Sequence, residues 1–394
     1  MRESGQVVLK PGRDGPVVGG HPWIFSGAVA TVDGDPAAGD VVRVRSADGR
    51  LLGRGTFSAR GAITVRLFVR GDGAVDAAFV RRRLEAALQL RRTVLAGDTT
   101  AYRLVNGEGD GLPGVVVDWY DGFAVVQLQT AGAEGIGALL DQALADVLAP
   151  RGVFERSEGT VRREDGLRDR TGARWGEEPP DLIPVREGAA RFLVDVRGGQ
   201  KTGFFLDQRD NRALARMLGA GRRVVNAFAY TGGFGVLAGL GDAAHVTSVE
   251  SSAPALELAE RHWRENELPP ERATFVRADA FQYFRDAHDP ADLVVLDPPA
   301  FAKRRRDAGA AIRGYREINR QAISRLAPGG WLLTCSCSHH ISRDAFRVAV
   351  MAAAAEAKRA AQIVRYLGPG ADHPVGLAHP EGDYLKGLLV RTLG

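Results

Sequence analysis

The sequence predicts an α/β protein: a mainly parallel, helix-covered sheet in its C-terminal half, preceded by a β-rich region and a small α+β region. Three observations carry this reading. After residue 220, short β-branched apolar runs alternate with helical patterns. Residues 1–72 hold only short strand-like runs parted by Gly and Asp. Between 73 and 185, a helical repeat gives way to a hairpin pattern and then a second helix.

In the first region Val7-Val8-Leu9, Val41–Arg45 and Ala62–Leu67 read as strands, with turns such as Asp48-Gly49 between them. His21-Pro22-Trp23-Ile24-Phe25 is an aromatic patch whose plainest reading is part of a barrel core. From Ala77 to Leu95, Val80, Leu84, Ala87, Leu88 and Leu95 follow helical spacing, and Arg91 is the polar exception. Val115–Asp118 and Ala124–Leu128 predict a hairpin, Ile136–Leu148 a helix, and Val153–Arg156 a strand. Glu177–Pro184, with three prolines, is the linker candidate.

Beyond it, Arg223–Phe228, His245–Glu250, Thr274–Arg277, Leu293–Leu296 and Trp331–Cys335 are predicted strands. The predicted helices are Phe234–Leu240, Ala253–Asn266, Ala280–His288, Arg313–Leu326 and Asp344–Ala361. Ile363–Tyr366 and Leu385–Arg391 close the chain as strands with no helix between them, so one should run antiparallel. This is the plan of a class I, Rossmann-like methyltransferase domain, expected over 186–394 after a 1–72 and a 73–185 domain. In such sheets the ligand lies beyond the C-terminal strand ends.

Bulk properties restrict the class further. The 394 residues are 45% hydrophobic and 25% charged, the profile of a soluble globular protein. No run of about 18 uncharged apolar residues suits a membrane span, and the N-terminus lacks the apolar stretch of a signal peptide. The two cysteines stand two residues apart, which excludes a disulfide framework and fits a cytoplasmic location. The net charge of +4 is mild, but eight basic residues fall between Lys303 and Arg325 against two acids. That run is either a solvated helix face or a contact for a polyanion.

Each strand end then offers a residue with chemistry. The first turn, Asn226 to Gly235, contains Phe228, Tyr230 and Gly232, and its glycines let backbone approach a ligand. Glu250 could accept the hydroxyls of a ribose or simply favour a helix N-terminus. Asp279, before Ala280 and Phe281, could receive an adenine amine or act as a helix cap. Asp297-Pro298-Pro299-Ala300-Phe301 is stiff because neither proline can continue a ladder or a helix. There Asp297 could steer a substrate base, and Phe301 could stack on one. Alternatively it is a strand-ending turn with a buried Phe.

Thr334-Cys335-Ser336-Cys337-Ser338-His339-His340 ends the fifth strand. The cysteines could be small buried hydrophobes, or a nucleophile. Zinc would need wider ligand spacing, so no metal is expected. Carbon 5 of cytosine takes a methyl group only after a thiolate adds at carbon 6. A cysteine beside the Asp-Pro-Pro loop meets that need.

Taken together, the chain resembles the bacterial 23S ribosomal RNA cytosine-5 methyltransferases that carry an N-terminal PUA domain. The resemblance runs through His21–Gly27, Gly107–Gly114, Gly199–Arg209, the strand-end motifs, Asp372-His373-Pro374 and Pro380–Gly387. It implies S-adenosylmethionine as cofactor, 23S ribosomal RNA as partner, and no membrane association; a homodimer is left open. It further implies that the Lys201–Arg209 stretch closes over the cofactor. The implied cofactor-binding residues are Lys201, Phe205, Asp207, Arg209, Asn226, Phe228, Tyr230, Gly232, Glu250, Asp279, Ala280 and Asp297. Cys337, matching the family's Ser-Cys-Ser, is implied as nucleophile with Asp297 beside it, and Pro298, Phe301, Lys303 and Arg304 as substrate contacts. Cys335 has no counterpart expected there, and Ala300 and Phe301 stand where many relatives place a second cysteine. An amino-directed RNA methyltransferase and a non-catalytic RNA-binding assembly factor are the competing expectations. A dinucleotide oxidoreductase is a fourth, against which the first turn lacks the glycine fingerprint.

Overall fold

A computed structural model describes residues 3–393 apart from 96, 287, 288 and 303. The chain divides into two compact units. The first comprises 1–185, 194–206 and 371–382; the second comprises 186–193, 207–370 and 383–394. The PUA-like and middle regions thus share one unit, together with two segments from further along the chain. Among the described residues no helix is long and apolar enough to cross a membrane.

The first unit holds a six-stranded sheet, from Glu3–Leu9 to Ile63–Arg70, and a five-stranded sheet, from Ala101–Asn106 to Arg170–Gly176. The aromatic patch splits: Ile24 enters the core of the first sheet, whereas Phe25 is 43% exposed. A strand points alternate residues to opposite faces, so only one side of Trp23–Phe25 can be core. Helices Ala77–Val94 and Gly137–Val147 cover the second sheet. The polar exception at Arg91 is buried because it forms a bidentate ion pair with Asp110 and donates to the Asp372 carbonyl at 2.8 Å. Asp372 also accepts from the Arg103 backbone amide at 3.0 Å, which explains why 371–382 belongs to this unit. In the same way Thr202 Oγ1 bonds Asp118 at 2.6 Å and Tyr120 at 2.9 Å.

The second unit is built on seven strands: β1 (Arg223–Ala227), β2 (His245–Glu250), β3 (Ala273–Arg277), β4 (Ala291–Leu296), β5 (Leu326–Ser336), β6 (Ala361–Leu367) and β7 (Lys386–Thr392). Their order across the sheet is β3-β2-β1-β4-β5-β7-β6. β1 through β5 are parallel; β7 runs antiparallel to both β5 and β6. The six helices are α1 (Arg209–Gly219), α2 (Gly233–Leu240), α3 (Ala253–Glu265), α4 (Ala280–Asp286), α5 (Ala308–Arg325) and α6 (Arg343–Glu356). Apart from Asp292 near its start, central β4 is apolar and buried on both faces, as helix layers on either side require.

Helix boundaries differ from expectation at two places. α5 begins at Ala308 rather than Arg313, because Asp307 closes a preceding turn by accepting from the Arg304 amide. α6 ends at Glu356: Lys358 adopts φ +54°, a left-handed residue that stops the helix, and the chain turns into β6 at Ala361. The expected extension of α4 to His288 lies partly outside the described residues.

Candidate functional site

The strand ends β1, β2, β4 and β5 converge at the β1–β4 switch point of the sheet, where the strand order reverses. After β1 the chain turns sharply: Phe228, Tyr230 and Gly232 have φ of +57°, +47° and +79°. A left-handed non-glycine residue costs about 1–3 kcal/mol, a strain that clusters at ligand sites. Glu250 holds this turn by accepting from the Tyr230 amide at 2.8 Å and the Ser252 amide at 2.9 Å. At Gly232 a β-carbon would stand 2.8 Å from that of Ala259, so α2 packs on α3 only with glycine there.

Asn226, at the end of β1, is 1% exposed, and neither its Oδ1 nor its Nδ2 has a hydrogen-bond partner among the described residues. Buried amides are nearly always satisfied, so this one suits a polar ligand entering beside the turn. Asp279 is exposed and caps α4, accepting from the Gln282 amide at 3.0 Å; Ala280 is buried behind it.

Asp297 follows β4 and accepts from the side-chain amide of Gln208 at 2.8 Å. Gln208 in turn accepts from Asn211 Nδ2 at 2.6 Å and faces the Cys335 thiol at 3.9 Å. Asp207, next to it, accepts from the Tyr384 hydroxyl at 2.5 Å. Arg209 lies 3.5 Å from Glu187, an acid it shares with Arg212. Lys201 and Phe205 belong to the first unit, where the ammonium sits 4.4 Å from the ring centroid.

The two cysteines separate. Cys335 is fully buried on β5, and burial, reinforced by the charge of Asp297, pushes its thiol well above the ordinary value. Room for it exists because Gly387 stands opposite: a β-carbon there would lie 3.0 Å from the Cys335 sulfur. Cys337 lies just past the strand, half-buried, with its sulfur 4.0 Å from the Pro298 carbonyl. Ser338 joins the two loops: its hydroxyl bonds the Ala302 amide at 3.3 Å and the Tyr315 hydroxyl at 2.9 Å. Its carbonyl accepts from Lys386 at 2.7 Å.

Phe301 is half-buried. Its ring lies 4.6 Å from Tyr315 and 6.1 Å from Phe281, against the Cα of Gly314, so part of its surface is already packed. Pro298 is buried and Pro299 exposed. Arg304 is exposed, as are Arg305 and Arg306; Lys303 lies outside the described residues. Among the described residues, no three His, Cys, Asp or Glu side chains gather as metal ligands.

The sequence reading missed Gln208, Tyr315, Ser338, Tyr384 and Lys386. Gln208, Ser338, Tyr384 and Lys386 lie inside the Gly199–Arg209, Ser-Cys-Ser and Pro380–Gly387 motifs but were given no role there, and Tyr315 carried no signal. In the first unit a cavity of about 770 Å³ is lined by Arg70, Arg82 and Arg83 with Phe68, Phe79 and His379.

Residues 102–378 match the family described as S-adenosylmethionine-dependent methyltransferase, and residues 7–70 match a PUA-like domain. A protein of Aeromonas hydrophila named ribosomal RNA large subunit methyltransferase I is 43% identical over 99% of this chain and all of its own. A Klebsiella pneumoniae protein of the same name is 41% identical, covering 98% of each chain. A Streptococcus mutans structure described as a SAM-dependent methyltransferase superposes with a TM-score of 0.85 at 22% identity, over 99% of this chain and all of its own. A further chain, solved with SAH, gives 0.85 at 23% identity over the same shares.

Proposed function

The chain belongs to the S-adenosylmethionine-dependent methyltransferase family, and from that premise we propose that it methylates carbon 5 of a cytosine in large-subunit ribosomal RNA. The substrate class follows the names of its relatives. The carbon-5 target follows from one observation: Cys337 is half-exposed beside the Pro298 carbonyl, while Cys335 is sealed in the core. An amino group could be methylated without any thiol; carbon 5 could not.

The donor set fits S-adenosylmethionine. The unsatisfied Asn226 amide, Glu250 and Asp279 would hold it along the ends of β1, β2 and β3. When bound, it supplies an electrophilic methyl group. The thiolate of Cys337 forms a bond to C6, and the C5–C6 π electrons move to C5. C5 takes the methyl, for which a neutral thioether would be the leaving group; the C5 proton then passes to solvent, its C–H electrons re-form the C5–C6 double bond, and the Sγ–C6 bond breaks to restore the thiolate. Asp297, oriented by Gln208, accepts from the exocyclic amine of the cytosine. The exposed Arg304, Arg305 and Arg306 meet backbone phosphates near the target. The arginine-lined cavity of the PUA-like unit offers a second phosphate contact. A ribosomal RNA substrate would be met in the cytoplasm.

The test is Cys337→Ala with ribosomal RNA as substrate and mass spectrometry of the digested nucleosides. Wild type yields 5-methylcytosine and the variant falls to background. Full activity in the variant, or a methyl group on an exocyclic amine, overturns the reading.

A further inference from the structure

β7 places a cation behind the thiol. In the antiparallel pairing of β5 and β7, Lys386 stands opposite Ser336, one residue before Cys337. Lys386 is 3% exposed. Its Nζ donates to the Ser338 carbonyl at 2.7 Å and to the Ile341 carbonyl at 2.8 Å. Both acceptors are neutral, and Lys386 forms no ion pair with a described carboxylate. The acid whose charge reaches it, Asp383, is 3.3 Å from Arg343. A buried ammonium without a carboxylate is costly, and groups so perturbed cluster at functional sites.

The surroundings indicate what for. Burial pulls the Lys386 amine below its ordinary value, and a negative charge at Cys337 is the main influence opposing that. Other titratable groups face the same loop. His339 is held below its ordinary value by burial and by the charges of Lys386 and His340. From α5, the Tyr315 phenol is raised by burial and by the charge of Cys337. From β5 and the β4 loop come Cys335 and Asp297. Arg343, from α6, shares its charge with Asp383.

We propose that Lys386 is a positioning residue for Cys337: its ammonium pins the Ser338–Ile341 loop and supplies the positive charge against which the Cys337 thiolate forms. The inference rests on Cys337 being the nucleophile. In the step concerned, the Cys337 S–H proton leaves to solvent and the sulfur lone pair attacks C6. A fixed cation nearby favours the thiolate, as at other reactive cysteines.

The experiment follows alkylation of native protein by iodoacetamide from about pH 5 to about pH 10, with tandem mass spectrometry assigning the label to Cys337. In wild type the midpoint lies below the ordinary thiol value of about 8.5. In Lys386→Met it moves up by about 1–2 pH units, a loss of reactivity at neutral pH of roughly 10–100-fold. Lys386→Arg, which keeps the charge, recovers most of it. An unshifted midpoint in a Met variant with a native thermal melt overturns the proposal. If that variant does not fold, a wild-type midpoint at or above the ordinary value does so instead. The two readings fail separately. Activity in Cys337→Ala removes the nucleophile and leaves the alkylation profile standing. An unshifted profile with an inactive Cys337→Ala removes only the role of Lys386.

Discussion

Gln208, just before the first helix of the catalytic unit, donates a 2.8 Å hydrogen bond to Asp297, at the end of its fourth strand. The amide is 2% exposed and also accepts from Asn211, so its orientation is fixed. Gln208→Leu removes a bond to a charged group, worth about 1.5–3 kcal/mol. kcat/KM should fall roughly tenfold to a hundredfold, read as a steady-state comparison over both substrates. A variant within twofold of wild type would show that Asp297 does not depend on Gln208.

Ser338 and Tyr315 share a 2.9 Å hydrogen bond in the core beneath the site. Ser338→Ala leaves the Tyr315 hydroxyl short of a buried partner, and Tyr315→Phe does the converse. Each should cost about 1–3 kcal/mol in urea unfolding. The double variant should cost less than their sum, with a coupling of about 0.5–1.5 kcal/mol. Simple additivity would remove the hydroxyl pair from the account of how the Asp-Pro-Pro and Cys337 loops are tied together.

The cysteines should behave as one fast and one silent thiol. Native protein should release one equivalent with a thiol reagent, from Cys337, and a second only on unfolding, because burial keeps Cys335 protonated and covered. Cys335→Ala should retain methyl transfer within a few-fold. Rapid labelling of Cys335 in the native state would contradict its burial.

His262 gives the stability a pH dependence of predictable sign. The ring accepts from the Leu193 amide at 2.8 Å through Nε2 and faces the Thr231 carbonyl at 2.8 Å through Nδ1, as suits the neutral form. Burial holds its folded value below the ordinary 6.5. Between that lowered value and 6.5 the unfolded chain binds more protons, so stability is full above 6.5 and falls as the pH drops through the window. The slope from this group approaches about 1.4 kcal/mol per pH unit. Denaturant midpoints across mildly acidic pH, compared with His262→Gln, isolate it; an equal slope in both proteins would assign the effect elsewhere.

The sheet was legible because the strands are short β-branched runs closed by turn residues, and an antiparallel strand could be expected in the last pair because no helix separates them; the structure assigns it to β7. Asn226, Glu250, Asp279, Asp297 and Cys337 could be picked out as candidates because parallel topology gathers strand ends at one edge of the sheet. Lys386 and Tyr384 stood in the Pro380–Gly387 motif without a role, because they reach the site through the register of β7 against β5 and the approach of Tyr384 to Asp207, which no local pattern encodes. Phe301 shows the opposite limit. Its residue type suggested a free stacking platform, but only packing could reveal that Tyr315 and Gly314 already cover part of the ring.

The place of β7 between β5 and β6 has a consequence for the order of assembly. During synthesis its two neighbours emerge first, each with an edge that only the later strand can pair. Until 386–392 leave the ribosome, the sheet is split, Cys335 lacks the wall that Gly387 provides, and no ammonium stands behind Cys337. If Cys337 and Lys386 act as proposed, the thiol becomes competent only after the other candidate side chains are made, and a chain halted just short of that strand carries most of the candidate site but cannot complete it.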